Sequence, residues 1–447
     1  MAVPTARYKS VVDAFAADIR SGKLCAGTRL PTHRQLAADS GIAVVTASRV
    51  YAELEAMGLV SSERGRGTFV RDVALPPGHG VDQRAVAPDA VDLNFNYPAL
   101  PGQADLLRHA LRELAGAGDL DSLLRYQPHG GRERDRAAVA THLLDRGLDV
   151  TPDCVALVNG AQHGLTVTAM ALLRPGDVVA VDALTYPGFK VLAEALRLEL
   201  HPLPTTSTGP DLDTLATLCH RRAVRAIYCM PTLHNPLGWV TDRAARRHLI
   251  AIARRHGLLV IEDASYAYLA DNPPPPLAAL APDVTVYVSG VSKNVATGIR
   301  VGFVVASVSR MTAIERTIRA TTWNTPAITT AIASQWLQDG TVTRLETQKR
   351  RDAAAKQAIA RKVLAPLHHI AHPSSYFTWI PLPPGARADR IATALENAGI
   401  SVSTAEPFST TTDTPQALRL ALGSTSLDTL PGALTTVRRL IEADICR

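Results

Sequence analysis

The sequence predicts an α/β protein in two unequal parts joined by a linker. Three observations predict it. Residues 1–72 carry helical apolar spacing, then two short strand-like runs. Residues 73–90 shift to a Pro- and Gly-bearing composition, with Leu75-Pro76-Pro77-Gly78-His79-Gly80 and Ala87-Pro88. Across residues 91–447, apolar strand-like runs alternate with helical stretches.

In the first part, Tyr8 to Arg20 places Val11, Val12, Phe15 and Ile19 at helical spacing. Leu24 to Pro31 is a turn-rich connection. Thr32 to Ser40 reads as a short helix ended by Gly41. Thr46 to Met57 reads as a second, with Val50, Leu54 and Met57 on one stripe and Gly58 as its stop. Leu59 to Ser62 and Gly67 to Val70 then form two strands around Glu63-Arg64-Gly65-Arg66. Two helices meeting through Gly41, followed by a wing, describe a winged helix-turn-helix. In that geometry Thr46, Ser48 and Arg49 open the helix that meets base edges and phosphates. Arg34 reaches a phosphate from the preceding helix, and Arg64 and Arg66 enter the minor groove. These 72 residues hold 10 Lys/Arg against 7 Asp/Glu, a net of 10 − 7 = +3. One copy should bind double-stranded DNA weakly, and two copies on two half-sites remedy that.

In the second part, Cys154 to Val158, Val178 to Val181, Ala226 to Cys229, Leu258 to Ile261 and Val284 to Val288 read as strands. Helical stretches such as Arg243 to Arg255 lie between them. This alternation predicts a large, mostly parallel sheet wrapped by helices. The tail from Arg344 to Arg447, a long helix and then short elements, predicts a small α+β lobe. Lys293 follows the fifth strand in Ser289-Gly290-Val291-Ser292-Lys293-Asn294-Val295-Ala296-Thr297-Gly298-Ile299-Arg300-Val301-Gly302. Asp263 ends an apolar run, and Asn235-Pro236 sits in a loop. A lysine, an acid and an amide so placed suit a pyridine aldehyde cofactor. The lysine forms a Schiff base, the acid pairs with the ring nitrogen, and the amide holds the ring hydroxyl. Asn159-Gly160-Ala161-Gln162-His163-Gly164 follows a strand and opens a helix, where the backbone amides of Ala161 and Gln162 suit a phosphate.

Composition narrows the class. The 447 residues are 46% hydrophobic and 20% charged, ordinary for a globular chain with a large core. No apolar run approaches the roughly 18 residues of a membrane span. No apolar leader stands at Met1 to Ser10, and a cytoplasmic protein is expected. The five cysteines (Cys25, Cys154, Cys219, Cys229, Cys446) form no Cys-x-x-Cys pair, which argues against a disulfide framework or a metal site. A net charge of +6 permits nucleic-acid binding without demanding it.

Motifs in both parts resemble known families. Gly27-Thr28-Arg29-Leu30-Pro31-Thr32-His33-Arg34-Gln35-Leu36-Ala37, Thr46 to Val60 and the wing Gly65 to Val70 resemble the GntR family of bacterial regulators. His33 stands where a small hydroxyl residue is commoner. Residues 91–447 resemble fold-type I pyridoxal 5′-phosphate (PLP) enzymes, the aspartate aminotransferase family. That resemblance assigns Lys293 the Schiff base, Asp263 the ring nitrogen, and Tyr266 and Asn235 the phenolic oxygen. It gives Tyr186 the stacking ring, and Arg300, with Ala161, Gln162 and Ser292, the phosphate. Tyr126 would reach the neighbouring subunit's phosphate, and Arg419 would fork onto a carboxylate. Gly290 departs from the pattern, because a Ser or Thr usually binds phosphate there; Ser289 or Ser292 would substitute. Leu184 replaces a proline, and His163 stands where glutamine is common.

Together the two parts resemble the MocR subfamily of regulators. That resemblance implies a head-to-tail homodimer, with each reader near the other chain's sensor. It also implies an effector, either PLP itself or an amino compound. The alternative is a working aminotransferase with an accessory DNA module, to which Arg419 is equally suited.

Overall fold

The computed structural model describes residues 5–25, 28–63, 67–70, 90–117, 120–384, 386–411 and 414–445. Arg64, Arg66, Cys446 and the expected linker up to residue 89 lie outside the described residues.

The chain opens with helices α1 (Thr5–Arg20), α2 (His33–Ser40) and α3 (Val44–Ala56), then strands β1 (Val60–Glu63) and β2 (Gly67–Val70). The strands pair antiparallel, Val60 opposite Val70. Thr32 caps α2: its hydroxyl accepts from the Gln35 N–H at 3.3 Å, and Gln35 Oε1 accepts from the Thr32 N–H at 2.9 Å. Gly41, at φ +59°, ends α2 in the left-handed conformation glycine favours. Val12, Leu36, Val50, Leu54 and Leu59 close the core of this module. Helix α3 begins two residues before the expected Thr46. Val44 and Val45 are 47% and 81% exposed, so they lie off the buried stripe by which the helix was read.

The remaining elements run β3 (Val91–Leu93), α4 (Gln103–Gly116), α5 (Glu133–Leu144), β4 (Val155–Val158), α6 (Gly160–Leu172), β5 (Val178–Asp182), α7 (Pro187–Ala195), β6 (Glu199–Leu203), α8 (Leu212–Arg221), β7 (Val224–Cys229), α9 (Arg243–His256), β8 (Leu259–Asp263), α10 (Leu277–Leu280), β9 (Thr285–Gly290), β10 (Gly302–Val305), α11 (Val308–Thr321), α12 (Ala327–Gln338), α13 (Thr341–Val363), β11 (Phe377–Pro381), α14 (Ala388–Asn397), β12 (Ile400–Thr404), β13 (Ala417–Ala421) and α15 (Leu430–Ile445). Seven strands form the large sheet in the order β4-β10-β9-β8-β7-β5-β6. All five expected strands are in it. Strands β4, β5 and β8 are buried along their whole length, which explains why they read as continuous apolar runs.

Two features differ from the reading above. Strand β10 is antiparallel to both β4 and β9. It follows β9 after a loop too short for the helical crossover a parallel return needs. In the four-stranded sheet, order β11-β13-β12-β3, strand β12 lies between β13 and β3 and pairs with β3 in parallel register, Val91 opposite Ile400. The small lobe therefore draws on both ends of the second part, and does not begin at Arg344. Three residues of β3 are too few to carry a periodic signal.

The first module rests on its own chain's small lobe, with Arg20 paired to Asp389 and Glu53 to Arg390. The resemblance implies contact with the other chain's body; within one chain, α14 already supplies cations that meet the carboxylates of α1 and α3. Among the described residues, no helix is long and apolar enough to cross a membrane.

Candidate functional site

Parallel strands bring the second part's candidates to one edge of the large sheet. Asp182 ends β5, Asp263 ends β8, Asn235 follows β7, Lys293 follows β9, and Gly160 to Gln162 open α6 after β4. The carboxyl ends of such strands form the crevice where α/β sheets bind ligands.

Lys293 is part-buried. Its Nζ donates to the Asn96 carbonyl at 2.9 Å and lies 5.9 Å from the ring centroids of both Tyr97 and Tyr266. Burial first, then the nearby Arg419 and Arg300 charges, hold its pKa down to about 8. Beneath it, the fully buried Lys349 donates to the carbonyls of Lys293 at 3.1 Å and Val295 at 2.7 Å, which pins the loop. The unfolded chain holds its lysine protons to higher pH. Lys293 therefore adds stability as pH rises from about 8 towards its ordinary value, and loses that contribution as pH falls through about 8. The amine reacts with an aldehyde only when neutral. Covalent capture of PLP by cofactor-free protein is expected to accelerate as pH rises through about 8, followed by stopped-flow absorbance. A profile flat across that range would count against this placement of the amine.

Asp263 is 2% exposed. It accepts from the Ser265 N–H at 3.0 Å, the Ser265 hydroxyl at 2.6 Å and the Tyr228 hydroxyl at 2.9 Å. Burial pushes its pKa up, and those hydrogen bonds oppose the push. A buried carboxylate of this kind gains from a cationic partner, and a protonated pyridine nitrogen is one. Burial also pushes Tyr266 up to about 12, so its hydroxyl stays protonated. Tyr186 is raised by burial and by Asp263.

The phosphate end is built on close backbone approaches. A Cβ on Gly302 would lie 2.6–2.9 Å from backbone atoms of Gly160 and Ala161. A Cβ on Gly290 would lie 2.8 Å from Gly302 Cα and Val301 O. This accounts for the missing hydroxyl residue at 290, since β9 and β10 leave no room for one. The Ser289 hydroxyl is engaged with the Ala264 carbonyl at 3.2 Å, whereas Ser292 Oγ is buried without a partner among the described residues. Of the two stand-ins, Ser292 is the available one. Arg300, at φ +52°, extends along this edge and donates to the Asn159 carbonyl at 3.1 Å.

Asn235 Oδ1, Gln162 Oε1, Asn159 Oδ1 and Arg419 Nε are likewise buried and unpartnered among the described residues. Buried polar atoms are usually paired, and a group carrying its own polar atoms would satisfy these. The residues present thus fit a phosphorylated pyridine. Arg419 is 5% exposed, and its guanidinium lies 5.0 Å from the Phe408 ring and 5.5 Å from the Phe377 ring. Burial lowers its pKa to about 10, leaving it a cation with hydrogen-bonding capacity to spare. Tyr126 stands apart: it is 82% exposed, and its ring lies 5.3 Å from that of Trp323.

In the first module, Arg34 is exposed on the first turn of α2. Thr46, Ser48 and Arg49 share the N-terminal half of α3. Thr46 is half-buried, the Ser48 hydroxyl donates to the Val44 carbonyl at 3.1 Å, and Arg49 lies 4.5 Å from the Tyr8 ring centroid.

Sequence reading missed several supporting residues. Asn96, Tyr228, Lys349 and Phe408 sit inside unremarkable runs, and only the fold turns them toward the site. Asp182 carried the same strand-end signal as Asp263 and was not singled out. His234, 3.4 Å from Asp182, stacks on Trp239 at 3.9 Å beside Asn235. Arg246, fully buried, ties the Asn235 loop to α9: it donates to the carbonyls of Pro231 and Thr241, both at 2.9 Å, and to the Thr232 hydroxyl at 2.8 Å.

Residues 88–436 match the family described as aminotransferase class I and II, and residues 7–70 match the gntR family of bacterial regulatory proteins. Over 449 residues the chain is 26% identical to the uncharacterized HTH-type transcriptional regulator YdeF of Bacillus subtilis (strain 168), covering 97% of this chain and 94% of that one. Over 451 residues it is 25% identical to the HTH-type pyridoxine biosynthesis transcriptional regulator PdxR of Corynebacterium glutamicum, covering 97% and 96%. The crystal structure of LysN, an α-aminoadipate aminotransferase from Thermus thermophilus, superposes with a TM-score of 0.74 at 22% identity. It covers 83% of this chain and 97% of its own, a likeness of fold.

Proposed function

The chain belongs to the aminotransferase class I and II family, and from that premise we propose that it is a PLP-dependent, DNA-binding transcription regulator. A GntR-type reader ahead of a class I and II aminotransferase domain is the arrangement of the MocR subfamily. The reader implies DNA binding, and the second domain implies PLP.

One observation carries the reading. A part-buried lysine amine beside Tyr266 and Arg419, a buried acid and unpartnered polar atoms at the carboxyl ends of the sheet strands lie in the same chain as a helix-turn-helix. When bound, the cofactor would supply an aldehyde carbon able to link covalently to an amine. Lys293 would present that amine and Asp263 would pair with the ring nitrogen. Asn235 and Tyr266 would bind the ring hydroxyl, and Tyr186 would stack on the ring. Ala161, Gln162, Ser292 and Arg300 would hold the phosphate, and Tyr126 would serve the neighbouring subunit. The effector is either PLP itself or an amino acid or amine, and Arg419 would receive the carboxylate of an amino acid. The division of labour follows the boundaries 1–72, 73–90 and 91–447. We place the regulator in the cytoplasm, as a head-to-tail homodimer on operator DNA, with Arg34, Thr46, Ser48, Arg49, Arg64 and Arg66 at the duplex.

The test combines spectroscopy with DNA binding. The purified chain is expected to shift a two-half-site fragment from upstream of its own gene, with a steep loss of affinity as salt rises. PLP or an amino compound is expected to alter that affinity by about 5- to 150-fold, the usual range of coupling between sites. Arg49→Ala should abolish the shift and leave the cofactor absorbance intact. Rapid multiple-turnover transamination with no DNA shift at low salt would overturn the reading in favour of an enzyme.

A further inference from the structure

The carboxylate end of the site is built on the small lobe. Arg419 lies in β13, with Trp379 of β11 and Ser403 of β12 opposite it in register. Residues 94–97, which follow β3, are tied to the same lobe. The Ser403 hydroxyl donates to Asn94 Oδ1, and the Tyr97 N–H donates to Ser424 Oγ at 2.9 Å. Between them, Asn96 Oδ1 accepts from the Gly423 N–H at 2.9 Å. Only glycine suits position 423, since a Cβ there would lie 2.7 Å from Asn96 Oδ1. Asn96 is buried, at 4% exposed.

The Gly423 contact fixes which way the Asn96 amide points. A backbone N–H can only donate, so the atom it meets is the amide oxygen, and the other end is the donor Nδ2. Nδ2 is buried without a partner among the described residues, as is Arg419 Nε. Both groups act on Tyr266: burial pushes its hydroxyl up to about 12, and the Arg419 charge and the Asn96 amide oppose that push. Burial is also the largest influence on Arg419, offset only in part by Tyr266 and Asp92. Asp92 is itself engaged by the N–H groups of Asn94 at 2.7 Å and Phe95 at 3.0 Å. The Asn96 carbonyl meanwhile accepts from Lys293 Nζ at 2.9 Å. One residue thus touches the capturing amine and brings an unused donor to the neighbourhood of an unused cation.

We propose that Asn96 is a specificity-determining residue of the effector site: its Nδ2 donates to the carboxylate that Arg419 pairs with, and the two together select an amino acid over a simple amine. The inference rests on PLP binding at Lys293, and it narrows the effector. A buried cation and a buried amide donor each cost free energy while unpaired. A carboxylate has two oxygens, one for each group. The cofactor's phosphate would lie at the other end, against Gly160 to Gln162 and Arg300. An amine without an acid group brings nothing to either donor. The Phe408 and Phe377 rings, 5.0 and 5.5 Å from the guanidinium, exclude water and strengthen a charge-assisted hydrogen bond there. A site that leaves buried donors unpaired with the wrong ligand discriminates strongly against it.

The test uses the full-length, cofactor-free protein and two stable probes, N-(5′-phosphopyridoxyl)glycine and N-(5′-phosphopyridoxyl)methylamine. They differ only by the carboxylate, and glycine has no side chain to favour or offend the site. Calorimetry gives the ratio of their affinities. The wild type is expected to favour the glycine conjugate by about tenfold or more, the scale of one hydrogen bond to a charged group. Asn96→Asp keeps the oxygen that meets Gly423 and turns the donor into an acid. Its ratio is expected to fall to parity or below. An unaltered ratio, including an equal loss on both probes, would overturn the assignment and leave Asn96 a mere support for Tyr266. Absence of any preference in the wild type would overturn it as well. A circular dichroism melt identifies a misfolded variant, and Asn96→Ala must then lower the ratio for the assignment to stand. If the wild type binds neither conjugate, the PLP reading fails and takes this inference with it. Tight binding of both, with a ratio indifferent to residue 96, sinks the inference alone.

Discussion

Lys293→Ala is expected to yield a protein that stays colourless with excess PLP and gains no mass on its 293-bearing peptide after borohydride reduction. The wild type should show both signals. Lys293 Nζ is buried beside Tyr266 and Tyr97, with its proton affinity lowered to about 8, which is what a capturing amine requires. Lys349 lies beneath the same loop, but its Nζ is committed to the carbonyls of Lys293 and Val295, so it should not substitute. A full yellow band in the alanine variant would show that the covalent link lies elsewhere, and the sensor reading would lose its foundation. If the reading is right, DNA binding by this variant should resemble that of cofactor-free wild type and stop responding to PLP.

Arg246→Met is expected to cost more stability than any surface change, about 3–5 kcal/mol by analogy with other buried charges that lose a partner. Arg246 is fully buried and donates to three carbonyls and a hydroxyl. It also lies 4.0 Å from Glu262, whose carboxylate accepts the N–H groups of Leu277 at 3.0 Å and Ala278 at 2.9 Å. Burial raises the Glu262 pKa and Arg246 opposes that rise, so the variant leaves a less compensated acid. Urea unfolding followed by circular dichroism reads the cost. A loss under about 0.5 kcal/mol, the range of ordinary surface changes, would refute this account. Since Arg246 holds both Pro231 and Thr241 beside Asn235, PLP affinity should weaken in parallel.

Much of the site was legible because its signals are local. Lys293 and Arg300 share one loop and β-strand edge, and the Asn159–Gly164 turn announces a helix start after a strand. Asp263 stood out as an acid closing an apolar run. The winged module was equally clear, since Gly41 and Gly58 are stops whose meaning depends only on neighbours in the chain. Residues that act at a distance were not legible. Arg246 reads as one more basic residue in an arginine-rich helix, and Lys349 as part of a charged one. Their hydrophobic-face positions become interior only when α9 and α13 are laid against the sheet. Gly290 read as a weakened phosphate contact; the structure makes it a requirement of the β9–β10 approach, because a Cβ would meet Gly302 and Val301 at 2.8 Å.

The sequence alone determined the two-part division and the strand-and-helix alternation, and it nominated an amine, an acid and an amide that suit a pyridine aldehyde. These follow from periodicity, caps and side-chain chemistry, which neighbouring residues fix. Only the tertiary structure decided that Val91–Leu93 completes the small lobe, that β10 runs antiparallel, and that the reader sits on α14. Contacts spanning more than 300 residues, such as Glu53 to Arg390, depend on how whole layers pack, and local spacing carries no record of that.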